Sequence, residues 1–95
     1  MAVAPVRQAN VLEAVREKLG GISWVQAVWM MPDPGGLQIW SIPSPPDASA
    51  EEAIYAQELE VIRAFPQEYF DFHFAEGAQQ EDLRQAGAII AFTRQ

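Results

Sequence analysis

Cysteine is missing from this chain, and with it go disulfides, thiol catalysis and thiolate metal sites. Histidine occurs once, at position 73, so a metal centre or a hydrolytic triad has a single imidazole to draw on. Basic residues are scarce: six Lys and Arg stand against thirteen Asp and Glu, a net charge of −7 and a pI near 4.4. Lys and Arg contacts with phosphate dominate nucleic-acid affinity and attraction to anionic membranes, so this balance argues against both partners. No apolar run reaches the ~18 residues of a membrane span, and the opening MAVAPVRQAN lacks the basic stretch and apolar segment of a secretory signal. The expectation is a cytoplasmic chain with no membrane, nucleic acid or cofactor among its ligands.

Hydrophobic residues make up 49% of the sequence and charged residues 20%, values of a globular chain rather than a disordered one. Ninety-five residues suffice for a single domain, residues 1–95, burying roughly 60–65% of the unfolded surface. Residues 1–6 read as a loose N-terminal arm.

The centre of the chain is residues 24–42, WVQAVWMMPDPGGLQIWSI, two apolar runs around a turn. Proline lacks a ladder N–H and glycine favours positive φ, so residues 32–36 read as a β-hairpin loop. With a five-residue loop, Met31 pairs with Leu37 and the faces follow. Val25, Ala27, Trp29, Met31, Leu37, Ile39 and Ser41 fall on one. Trp24, Gln26, Val28, Met30, Gln38, Trp40 and Ile42 fall on the other. Buried amides need partners, so the glutamine-bearing face is assigned to the outside.

Around the hairpin the periodicities alternate. Val11, Leu12, Val15 and Leu19 make one helical stripe over residues 7–19, stopped by Gly20 and Gly21. Pro43, Pro45 and Pro46 end the second strand. Ser49 and Glu52 have the spacing of a capping box, opening a helix that runs to Phe65 before Pro66. Its stripe of Ile54, Tyr55, Leu59, Ile62 and Phe65 is expected on the sheet, and Glu51, Glu52, Glu58 and Glu60 on the solvated side. The segment EYFDFHF alternates strictly, with Phe70, Phe72 and Phe74 to the core and Tyr69, Asp71 and His73 opposite. A short helix within residues 78–86, ended by Gly87, precedes a last strand at residues 88–94. The order α-β-β-α-β, short α, β implies an α+β two-layer sandwich: a mixed sheet with helices on one face.

The uncovered face then holds Trp24, Val28, Met30, Trp40, Ile42 and Tyr69, the composition of a protein interface. A non-catalytic interaction module is the expected function, with a homodimer or a protein partner on that face. Asp71 and His73, two apart on a strand, point the same way and form the alternative, a metal or small-ligand site. Two ligands fall short of the three or four of a closed divalent site. Ser23, Ser41, Ser44 and Ser49 sit in no GxSxG turn, and residues 33–36 lack the Lys-Ser or Lys-Thr ending of a phosphate-binding loop.

The element order, Gly35 and Gly36 in the turn, Phe70-Asp71-Phe72 on a strand and Ala86-Gly87-Ala88-Ile89-Ile90 near the end together resemble the minimal nucleotidyltransferases. That family carries a Gly-Ser pair after its first strand and an Asp-x-Asp on its second, holding two magnesium ions on a nucleoside triphosphate. Here those places are occupied by Met31 and Pro32, and by Leu37 and Ile39; Asp71 alone lies near the third carboxylate. The resemblance therefore implies a degenerate, non-catalytic member with at most residual nucleotide binding. Over residues 11–74 the chain is also similar to the cytoplasmic domain of cation-efflux transporters. The carriers there are the order α-β-β-α-β and the helix opening Ala48-Ser49-Ala50-Glu51-Glu52-Ala53. That resemblance implies dimerisation through the sheet region, and only His73 has a counterpart among its metal ligands.

Overall fold

In the computed structural model, which describes residues 3–44 and 48–94, four strands form one mixed sheet in the order β3-β2-β1-β4. The elements are α1 (Val3–Lys18), β1 (Val25–Asp33), β2 (Gly36–Pro43), α2 (Ala48–Ala64), β3 (Phe70–Phe74), a 3₁₀ turn (Gly77–Gln79), α3 (Gln80–Gln85) and β4 (Ile89–Thr93). The α+β class and the order of elements are those the sequence implies. β1 runs antiparallel to β2 and β4, whereas β3 lies parallel to β2 because α2 carries the chain back between them. No helix among the described residues is long and apolar enough to cross a membrane.

The first helix starts at Val3 rather than Arg7, so residues 3–6 of the expected arm are helical, and residues 1–2 lie outside the described residues. Pro5 lies in the first turn, where its missing N–H has no intrahelical partner to lose. Neither Gly20 nor Gly21 is left-handed. Gly20 serves by its lack of a side chain, since a Cβ there would sit 2.6 Å from the Phe92 ring. The Ser49 capping box is also corrected: α2 already includes Ala48, which puts Ser49 inside the first turn.

The hairpin loop is shorter than the prolines suggest. Asp33 pairs with Gly36 across Pro34 and Gly35, and the ladder continues through Met31 with Gln38, Met30 with Ile39 and Trp29 with Trp40. Pro32 stays in β1 because β4 pairs only with residues 27–30, leaving a strand on one side alone. This register differs by one residue from Met31 opposite Leu37, so Ala27, Val28, Trp29, Met30 and Met31 exchange faces. Val25 escapes the exchange because a β-bulge separates it from Ala27.

Two clusters result, one on each face. Beneath α1 and α2, Val28, Met30, Leu37 and Ile39 pack with Val11, Val15, Leu19, Ile54 and Val61. Each of the larger side chains contributes about 1.5–3 kcal/mol by leaving water. Across the sheet, Ala27, Trp29 and Ile42 pack under Ala75, Leu83 and Ala88. The long helices thus share one face, and the connection 75–88 with α3 crosses the other. A Schellman ending holds α3: Ala88 N–H donates to Leu83 O at 3.0 Å and Gly87 N–H to Arg84 O at 3.1 Å, with Gly87 at φ 100°. The Trp29 indole N–H donates to Gln80 Oε1 at 3.0 Å, pinning the start of α3 over the sheet.

α2 is rotated relative to the expected stripe. Ile54, Glu58 and Val61 are buried, while Tyr55, Leu59 and Ile62 are exposed. Both sets have helical spacing, and the choice rests on which side meets α1 and the sheet.

Candidate functional site

The residues expected on one open face are distributed differently. Val28 and Met30 are buried under the long helices, a consequence of the one-residue register. Ile42 is buried on the opposite side beneath the 75–88 connection, with Trp40 packed partly against that cluster. Trp24 lies in the turn before β1 and Tyr69 immediately ahead of β3, both exposed. The Trp-rich face is therefore half covered, and it no longer forms a continuous apolar surface.

Exposed apolar surface gathers instead around the outer edge of β3. Two hydrogen bonds bracket that strand: Leu37 N–H donates to Tyr69 O at 2.9 Å, and Ala75 N–H donates to Ser41 O at 3.0 Å. In a parallel ladder alternate residues of a strand bond to the same neighbour, so residues 69, 71, 73 and 75 serve β2. Phe70, Phe72 and Phe74 consequently turn their N–H and C=O groups outward. Five uninterrupted pairs hold β3 against β2, and no described strand pairs with its far side.

On the helix side of this edge the three phenylalanines are only half-buried, not fully enclosed as their alternation suggests. Phe70 and Phe72 stack with centroids 5.6 Å apart, and Tyr55 meets Phe74 edge-on at 5.4 Å. From Tyr55 the stripe continues along α2 through Leu59 and Ile62, 45% and 42% exposed. That stripe follows from the rotation of α2; its 55-59-62 spacing is legible in the sequence, where it reads as part of the core side of the helix.

Across the sheet from the phenylalanines lie Asp71 and His73. Asp71 Oδ2 is 3.2 Å from His73 Nε2, but the approach is too oblique for a hydrogen bond. The imidazole stacks on Trp40, centroids 4.2 Å apart at 22°. The indole Nε1 of Trp40 is shielded from water without a hydrogen-bond partner. Among the described residues no third acidic or imidazole group joins Asp71 and His73 to make a metal cluster. The pair is thus a carboxylate and an imidazole at a strand edge, suited to meeting complementary charge.

The other sheet edge differs. β4 exposes Ile89 and Ile90, but its register on β1 is broken between Val28 and Trp29, a distortion that spoils an edge for further pairing. Set against known protein families, curated proteins and solved structures, the chain matches none.

Proposed function

We propose that this protein is a non-catalytic protein-interaction module that works through the outer edge of β3 and the exposed stripe of α2. The observation that carries this reading is the coincidence, at one edge, of outward backbone groups on Phe70, Phe72 and Phe74 with exposed Tyr55, Leu59 and Ile62. Edge backbone supplies directional hydrogen bonds, and aromatic and aliphatic side chains beside it supply the apolar contact that gives an interface its affinity. Leu59→Glu places a charge in the middle of the stripe without touching the buried side of α2. It should weaken association, seen as self-association in sedimentation velocity or as recovery of a partner from the native cell. Unchanged behaviour in both assays, with a folded protein, would sink the reading.

A further inference from the structure

We infer that the partner at this edge is a second copy of the chain, joined by antiparallel pairing of β3 with its twin about a two-fold axis through Phe72. The inference rests on reading the β3 edge as an interaction surface and adds the identity and register of its occupant. Its basis is that the strand Phe70-Asp71-Phe72-His73-Phe74 is complementary to its own reverse. With Phe72 opposite its counterpart, Phe70 faces the other copy's Phe74, and Asp71 faces the other copy's His73, twice over by symmetry.

Backbone geometry permits this pairing. The outward groups belong to residues 70, 72 and 74, so these become the hydrogen-bonded pairs of the new ladder. Asp71 and His73 then occupy the non-hydrogen-bonded pairs, where opposed side chains approach most closely. Neighbouring registers that keep even residues opposite even residues centre on residue 71 or 73. The first sets Asp71 against Asp71 and the second His73 against His73. Only the register centred on Phe72 pairs a carboxylate with an imidazole, and it also uses all three phenylalanine backbones. Asp71 on the edge thereby discourages other strands while admitting this one. The same two-fold brings the Tyr55, Leu59 and Ile62 stripes of both copies to one side of the extended sheet.

The test begins with sedimentation velocity of the wild-type protein over a wide dilution series, beside Asp71→Lys and His73→Asp alone and mixed. Each variant alone opposes like charges or an imidazole to an ammonium, and should dimerise about tenfold more weakly or worse. Their mixture sets an ammonium against a carboxylate at one position and restores the carboxylate–imidazole pair at the other, and should dimerise again. A second readout uses a spin label on Tyr69→Cys, clean because the chain has no other cysteine. Three residues from the axis on each strand, the two labelled backbones should lie about 20 Å apart, against roughly 14 Å for the register centred on residue 71. A wild-type monomer at every concentration overturns the inference. So does a dimer indifferent to both charge variants, or a label distance that fits another register. A monomer that still recovers a different protein, sensitively to Leu59→Glu, refutes the second copy while sparing the interaction surface.

Discussion

Glu58 is the residue whose removal should make this protein more stable. It sits on the buried stripe of α2 with Ile54 and Val61, 6% exposed. Burial strips water from its carboxylate and pushes its pKa from 4.5 up to about 7. Between those two values the folded chain holds a proton that the unfolded chain has released. Stability is therefore fully present below pH 4.5 and declines as pH rises through 7. At about 1.4 kcal/mol for each pH unit between them, the loss amounts to about 3 kcal/mol. For a chain of this length, total stability is on the order of 5–14 kcal/mol, so the loss is a large share. Urea denaturation of the wild type at half-unit steps from pH 5 to 8 should show the decline, and Glu58→Gln should remove most of it. The variant should exceed the wild type at pH 8 and match it or fall slightly below at pH 5. Glu81, held below the usual carboxylate range mainly by its hydrogen bond to Arg84, acts in the opposite sense and below this window. Parallel curves for the two proteins would refute the burial argument.

Three further outcomes follow from particular contacts. Gly36 has φ 150°, and a Cβ there would lie 2.2 Å from Tyr69 O, so Gly36→Ala should cost about 1–3 kcal/mol by urea denaturation. The Arg94 guanidinium donates to the carbonyls of Val25, Gly20 and Ile22 at 2.8–3.1 Å and lies over Phe92. Arg94→Ala should lose about 1.5–3 kcal/mol in the same assay, with the β4 amides losing hydrogen-exchange protection first. Val28→Asp, which places a carboxylate at a fully buried position beneath the long helices, should abolish cooperative thermal unfolding, whereas Leu59→Glu on the exposed stripe should leave the midpoint within a few degrees.

The hairpin, the helix ahead of it, the alternating β3 and the Gly87 stop were legible because each is a local matter of backbone freedom and apolar spacing. The faces of β1 were not. Pro32 looks like loop material, and only the short length of β4 beside β1 shows why a proline fits in the strand. One residue of register then moves Val28 and Met30 from the expected interaction face into the core, and Trp29 out of the expected one. α2 gave the same difficulty in another form. Ile54, Val61 and Phe65 compete with Tyr55, Leu59 and Ile62 for the inner side, and Glu58 among the former argued for the wrong answer.

By itself, then, the sequence determined the α+β class, the order of elements, the acidic charge and the self-complementary run of β3. Those depend on residues close together in the chain and on composition. Only tertiary structure decided which side of each element is inside, and that β3 is an edge. Both are set by contacts between segments distant in sequence: the crossover that places β3 beside β2, the packing of α2 against α1, and the fold of residues 75–88 across the second face. Free backbone at an edge is a property of what lies alongside a strand, which no stretch of five residues can state.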